Sequence, residues 1–307
     1  MIDASIVIVS YNTRELLRDC LIALGPACTS LSAEIFVVDN ASGDGSADMV
    51  QREFPAALLI RNEHNCGFAS ANNAAIDRAS GRYVVLLNPD TKAAPGAITE
   101  MVRFMDENPS VGYCGPRLAN ADGTHQPSAR RFPTVLSAAY CMLGLSRRFP
   151  NSRHTLDLHL SNGDRRDFRA DWLCGACLMV RKDCIRQVGT LDEGFFMYFE
   201  ETDWCRRIAT ARWQGRYLAS PEVVHFGGQS ICEVDGVAPF SGDHPAHWTR
   251  SRRRYMRRYY GVAGVIISDA VQIILYSLIW LRHRWRPSDS SRAKARTAAA
   301  AVRYFFT

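Results

Sequence analysis

Short apolar runs and helical stripes alternate along the first 115 residues. Ser5–Ser10 (SIVIVS) is a β-branched run that predicts a strand buried on both faces. Thr13–Leu24 carries apolar residues at helical spacing, and Glu34–Asp39 (EIFVVD) predicts a second strand ending in the turn-rich NASGDGS. The alternation continues through Ala57–Arg61, a helix near Phe68–Ala79, Tyr83–Leu87 (YVVLL), a helix near Gly96–Glu107 and a strand near Val111–Gly115. This rhythm predicts an α/β fold with a mainly parallel sheet, flanking helices and right-handed crossovers. In such sheets ligands bind beyond the carboxyl ends of the strands. Tyr11, Asp39 and Asn88-Pro89-Asp90 all fall there.

The pattern loosens over residues 117–170, which are rich in Arg, Pro, Asn and Asp around an apolar island at Val135–Leu145. Such an insertion is either a substrate-facing element or a plain surface excursion. Regularity returns with a strand over Trp172–Arg181, a helix over Glu200–Trp213 and strands at Tyr217–Ala219 and Val223–Phe226. There is no internal repeat. Val262–Leu281 is largely apolar and long enough to span a bilayer, but it contains Asp269 and Gln272.

Charge changes the picture of this tail. From Arg250 onward there are thirteen Lys and Arg against Asp269 and Asp289, a net +11 in a chain of +6, which leaves residues 1–249 at −5. Six arginines lie within Arg250–Arg258. Basic residues flank both ends of the apolar stretch, so they set no orientation for a span. A helix lying in the membrane interface accommodates all these features; a true span and a core or oligomer helix are the alternatives. Nucleic acid is the weaker partner, because the body is acidic and carries no nucleic-acid fold signature. The ten cysteines follow no disulfide framework, which suits a reduced cytosolic compartment. The N-terminus, MIDASIVIVSYN, reads as a first strand and not as a signal peptide.

Several segments carry chemistry. Asp90 follows YVVLL directly, where a carboxylate can ligate a hard divalent cation on a diphosphate; a Pro-containing turn is the bland alternative. Asp39 can accept the imide N–H of a uracil or thymine, and Tyr11 can stack on that base. A turn cap and an interface aromatic are their structural alternatives. Gly67 precedes a helix with small residues at Ala69, Ser70 and Ala71, and Asn72 can reach the backbone of the adjacent loop. The run Phe195-Phe196-Met197-Tyr198-Phe199 delivers Glu200, Glu201 and Asp203 to a helix start, a suitable place for a general base. Simple N-terminal acid enrichment competes with that reading most strongly for Asp203. Cys174-Gly175-Ala176-Cys177 is a lone C-x-x-C, better read as buried thiols than as zinc ligands. His225 ends a strand and is a metal-ligand candidate.

Together these segments resemble glycosyltransferase family 2, and within it the bacterial rhamnosyltransferase-like members. The matching stretches are VIVSYNTRELLRDCL, VVDNASGDGS, RNEHNCGFASANNAAI, YVVLLNPDT, GACLMVRK, FFMYFEETDWCRR and VVHFGGQS, in family order from residue 5 to about 230. The resemblance implies a GT-A fold, inversion at the anomeric carbon, and Mg2+ or Mn2+ on the diphosphate. By position it implies Tyr11 and Asp39 at the base, Asp90 at the metal, His225 at the metal or the pyrophosphate, and Glu201 as catalytic base beside Glu200. Ser10, Asn12, Asn65, Gly67, Asn72 and Asn88, inside the matching stretches, complete the expected nucleotide-binding set. Two departures stand out. Asn-Pro-Asp replaces the common Asp-x-Asp, and Glu200-Glu201 replaces the usual Glu-Asp pair, which leaves open which glutamate is the base.

The expectation is therefore a glycosyltransferase domain over 1–245, donor-binding to about 116 and acceptor-binding or catalytic from 117, followed by a basic helical tail over 246–307. The donor would be a dTDP- or UDP-sugar, with dTDP-L-rhamnose implied by resemblance, and the acceptor a lipid-linked or polysaccharide hydroxyl. The enzyme would be cytoplasmic and peripheral at the inner face of the cytoplasmic membrane. A nucleotidyltransferase is the rival enzyme class, but SYNTREL lacks its basic, Gly-rich phosphate loop. A non-catalytic nucleotide-sugar-binding protein is the rival binding class.

Overall fold

The structure is a computed structural model that describes residues 1–227 and 244–285, with Arg296, Ala298, Ala299 and Val302. The last three residues of the VVHFGGQS stretch and most of the tail beyond 285 lie outside the described residues. The chain divides into two compact units. One comprises Met1–Arg130, Asn162–Phe196 and Glu200–Cys232; the other comprises Arg131–Ser161, Met197–Phe199 and Glu233–Thr307.

Along the chain the elements begin with β1 (Ala4–Ser10), α1 (Arg14–Ala27), β2 (Ala33–Asp39), α2 (Ser46–Glu53), β3 (Leu58–Arg61), α3 (Phe68–Ile76) and β4 (Tyr83–Leu87). After these come β5 (Thr91–Ala93), α4 (Ala97–Glu107), β6 (Val111–Ala119), β7 (His125–Gln126) and β8 (Ala129–Arg130). Three short helices follow: α5 (Ser137–Met142), α6 (Leu145–Arg148) and α7 (His159–Asn162). Then come β9 (Phe168–Arg169), β10 (Trp172–Leu173), β11 (Cys177–Arg181), α8 (Lys182–Val188), α9 (Glu200–Thr210), β12 (Gln214–His225) and α10 (His244–His283).

The main sheet runs β3-β2-β1-β4-β11-β6-β12-β5, with β7 on β6 and β9 on β12. β3, β2, β1 and β4 are parallel, as the alternation predicted. β11 enters antiparallel between β4 and β6, so the sheet is mixed. Both faces of β1 and β4 are covered, which explains their unbroken apolar sequences. Leu17, Cys20, Leu21 and Leu24 of α1 and Ile98, Met101, Val102 and Met105 of α4 bury their stripes against this sheet. Because β1, β2 and β4 are parallel, their carboxyl ends share one sheet edge, and the residues following them gather there.

Two strand expectations need correction. Trp172–Arg181 is not one strand, because Cys174, Gly175 and Ala176 form a turn between β10 and β11. Tyr217–Ala219 and Val223–Phe226 belong to the single strand β12, whose register on β6 shifts between Leu218 and Glu222. Pro221 lies within that irregularity, where its missing N–H breaks no ladder.

In the second unit, α5 packs on α10. Tyr260 donates its hydroxyl to the Pro133 carbonyl (2.9 Å), and Ser251 donates to the Met197 carbonyl (2.7 Å). Phe199 lies against the Tyr255 ring at 5.3 Å between centroids. Segments distant in sequence therefore form one body with the helical tail.

Candidate active site

The loops after β1 and β2 are stitched together. Asn12, in the left-handed region at φ 55°, donates its N–H to Ser42 Oγ (3.0 Å), and its Oδ1 accepts from the Gly43 N–H (2.8 Å). Asp44 accepts from the Arg14 N–H at 2.9 Å, and buried Ser10 shares a hydrogen bond with Thr13 (2.9 Å). These bonds leave Tyr11 half exposed beside the strand end. Asp39 is buried; its Oδ2 accepts from the Ser42 N–H (3.1 Å), while its Oδ1 has no hydrogen-bond partner. A buried acceptor left bare costs about 1–3 kcal/mol, so Asp39 is primed for an N–H from a ligand.

The next loop is organised by Asn40, which sequence reasoning passed over. Its amide donates to Asn65 Oδ1 (2.8 Å), and its Oδ1 accepts from the Asn62 side chain (3.0 Å) and the Cys66 N–H (3.2 Å). Asn65 Oδ1 also accepts from the Gly67 N–H (3.0 Å), so that oxygen serves the loop itself. Gly67 sits at φ 84°, and a Cβ there would collide with the Phe196 carbonyl and approach its ring to 2.8 Å. The Phe68 N–H donates to the same carbonyl at 2.7 Å. Gly67 thus permits close approach of the segment leading to Glu200. Asn72 is buried and donates to the Phe68 carbonyl of its own helix (2.8 Å), not to an adjacent loop. Its neighbour Asn73 makes the longer reach. It donates to the Leu191 carbonyl (2.9 Å) and Glu193 (3.0 Å), and accepts from the Leu191 N–H (3.1 Å).

Asp90 and His225 meet. Pairing of β5 with β12 sets His225 opposite Thr91, and the Phe226 N–H donates to the Asp90 carbonyl at 2.8 Å. His225 Nδ1 lies 2.8 Å from Gln126 Oε1, a carbonyl oxygen that fixes the proton on Nδ1. The Nε2 lone pair is buried without a hydrogen-bond partner, 3.3 Å from Asp90 Oδ1. A metal-ligating histidine held through its other nitrogen has this arrangement. A Cβ on Gly227 would run into the Asp90 carboxylate, so this glycine keeps the approach open. No cluster of three or more His, Cys, Asp or Glu gathers among the described residues. A carboxylate oxygen and an imidazole lone pair on one side are donor groups that suit a divalent cation.

The Cys174–Cys177 turn adjoins the Asn-Pro-Asp loop on one side and Glu201 on the other. The Asn88 N–H donates to the Ala176 carbonyl at 3.0 Å, tying the Asn-Pro-Asp loop to the turn. Glu201 Cγ and the Phe68 ring lie over Gly175, 3.9 and 3.7 Å from where a Cβ would stand. A path of direct contacts thus links the Asp90 loop to Glu201. Cys177 itself is buried and desolvation pushes its thiol up, consistent with the reading as a structural thiol.

The three acids at the start of α9 separate by environment. Asp203 is fully buried and pairs with Arg207 Nε (2.9 Å), whose other nitrogens donate to the Val188 and Thr190 carbonyls, both at 2.6 Å. Asp203 therefore anchors a loop, the structural alternative considered for it. Glu200 is 5% exposed, and burial, followed by the charge of Glu201, pushes its carboxyl well above the ordinary 4.5. Its Oε2 is buried with no hydrogen-bond partner. Glu201 is only partly buried, and its side chain lies toward the Gly175 turn.

The glycosyl transferase family 2 model matches residues 5–188 of the chain. An N-acetylglucosaminyl-diphospho-decaprenol L-rhamnosyltransferase of Mycobacterium tuberculosis is 29% identical over 73% of this chain and 76% of its own. A low-salt glycan biosynthesis hexosyltransferase of Haloferax volcanii is 26% identical over 90% and 80%. Among solved structures, a mannosyltransferase of Pyrobaculum calidifontis in complex with GDP-Man and Mn2+ aligns with TM-score 0.54 at 14% identity, covering 99% of this chain and 86% of that one. GalNAc-T7 with UDP, GalNAc and Mn2+ aligns with TM-score 0.56, also at 14% identity, covering 86% and 51%. With that family model covering more than half of its length and a GT-A fold, this chain belongs to glycosyltransferase family 2.

Proposed function

We propose that the chain is a divalent-metal-assisted, inverting glycosyltransferase that moves L-rhamnose from dTDP-L-rhamnose to a lipid-linked sugar acceptor. The donor base is held by Asp39, whose bare Oδ1 suits the imide N–H of thymine, with Tyr11 available to stack on the ring. Asp90 and His225 hold the cation, Mg2+ or Mn2+; when bound, it neutralises charge developing on the leaving nucleoside diphosphate. The approach of the buried His225 ring, fixed by Gln126, to the Asp90 carboxylate is the observation that carries this reading. Mn2+ in the two structural neighbours accords with it.

Glu201 is the general base. It takes the proton of the acceptor hydroxyl as that oxygen attacks the anomeric carbon from the face opposite the leaving group, which inverts the configuration. Burial, and after it the charge of Glu201, disfavours the ionised form of Glu200, so Glu201 is the better-placed proton acceptor. The diphospho-decaprenol in the name of the mycobacterial relative favours a polyprenyl-diphosphate sugar as acceptor. Such an acceptor suits a cytoplasmic enzyme peripheral at the inner face of the cytoplasmic membrane.

A thermal-shift panel of nucleotide sugars with and without Mn2+ tests the donor. At a hundred times Kd a ligand stabilises the fold by about 2.7 kcal/mol. A rise of several degrees for dTDP-L-rhamnose that requires Mn2+ is the expected result. Equal shifts with and without metal would remove Asp90 and His225 from the metal role.

A further inference from the structure

We propose that the part of α10 after Gly261 lies flat on an anionic lipid surface, bound through an outward apolar stripe while its polar face is held by arginines of the same helical hairpin. This deepens the membrane location proposed above and rests on it.

Gly261, at φ 67° and ψ −169°, breaks α10. Beyond the break the chain turns back. Arg252 donates to Ser268 Oγ (2.5 Å) and pairs with Asp269, and Arg253 Nε donates to Asp269 Oδ2 (2.8 Å). Residues sixteen apart in a straight helix would be separated by about 24 Å. These contacts therefore require the two halves to lie side by side.

The second half is amphipathic with its faces reversed from those of a soluble helix. Ser268, Gln272 and Tyr276 are 1–2% exposed, with Asp269 beside them on the inward face. Val262, Ile266, Ile267, Ile274, Leu278 and Leu281 point outward, each 47–62% exposed. Their spacing follows the helical repeat, so they form a continuous stripe. Trp280 and Trp285 stand at its end, and Arg284 stacks on both rings, 4.3 Å from each centroid. Aromatic rings with a polar tip, beside arginine, are characteristic of the headgroup level of a bilayer.

Charge selects the occupant. Arg250 and Arg257 on the first half and Arg282 and Arg284 at the end of the second are exposed, in a tail of net +11. Anionic headgroups complement this set, each nearby arginine strengthening the attraction. The same arginines argue against a span. Carrying the second half across a bilayer would either take Arg252 and Arg253 into hydrocarbon with it or strip Asp269 of its partners.

The test uses the full chain and vesicles of phosphatidylcholine with 30% phosphatidylglycerol. Wild type should sediment with them, and much less with phosphatidylcholine alone. The Ile266→Glu/Ile274→Glu variant should partition at least tenfold more weakly while its melting temperature and donor hydrolysis match wild type. If that variant misfolds, Ile266→Ser/Ile274→Ser is measured instead. Lipids brominated at different depths should quench Trp285, read as the difference between wild type and Trp285→Phe, most strongly near the headgroups. Strongest quenching at the bilayer centre, or unchanged binding of a folded stripe variant, overturns the flat arrangement but spares the membrane location. Failure of wild type to bind any vesicle overturns both. A wild-type dimer that the stripe substitutions dissociate would make a second copy the occupant.

Discussion

Glu200 and Glu201 are adjacent, yet they meet different surroundings, because successive helical side chains point about 100° apart. Glu201→Gln should lower transfer at least 10²-fold with nucleotide-sugar binding near wild type, since an amide cannot accept the proton. Glu200→Gln should be milder on the rate. A larger loss at Glu200 in steady-state kinetics would reverse the two roles. Stability separates the pair independently. The folded protein keeps Glu200 protonated above the ordinary 4.5, whereas the unfolded chain releases that proton. Stability therefore falls as pH rises above about 4.5, until Glu200 ionises in the folded state as well. Glu200→Gln should raise the melting temperature at pH 8 and leave it unchanged at pH 4. Metal affinity should fall about 10–100-fold in Gln126→Ala, which frees the His225 ring, as read by Mn2+ titration. The strand-end acids could be found in the sequence because a carboxylate closing an apolar run is conspicuous. Gln126 could not, because its partner lies ninety-nine residues away and nothing local marks it.

At the scale of elements, α3 is attached at two points to the segment that precedes α9. Gly67 and Phe68 hold the Phe196 backbone at one end of the helix, and Asn73 holds Leu191 and Glu193 further along. The stretch from Leu191 to Phe196 is fixed by these two attachments. Asn73→Ala leaves the Leu191 N–H and carbonyl unsatisfied, a cost of about 1–3 kcal/mol. It should lower kcat with little change in donor KM, and a kcat equal to wild type would detach α3 from catalysis. The seven matching segments made the strands and α9 legible, since their hydrophobic periods are regular. The Gly175–Ala176 turn was hidden because the flanking cysteines and leucine extend the apolar run through it. Its use shows only in three dimensions, where small residues admit Asn88, Phe68 and Glu201 together.

For the whole molecule, the second unit draws together segments far apart in the sequence. Pro133, Met197 and Phe199 all find partners on α10. Truncation at residue 250 removes those partners, so it should lower the melting temperature as well as abolish vesicle binding. Point substitutions in the outward stripe should affect binding alone. The sequence made the tail's charge and apolar length plain. The fold-back at Gly261 was not legible, because Asp269 and Gln272 read as defects in a span until their arginine neighbours are in place. Inverting transfer from a thymidine-diphosphate sugar, with Glu201 as base, can be read from the product itself. Full-length enzyme, dTDP-L-rhamnose, Mn2+ and a polyprenyl-diphosphate N-acetylglucosamine acceptor are combined, and the product's anomeric configuration is read by NMR for wild type and Glu201→Gln. Wild type should form a rhamnosylated lipid of configuration opposite to the donor, and the variant should not. Retained configuration, or undiminished product from Glu201→Gln, would contradict that mechanism.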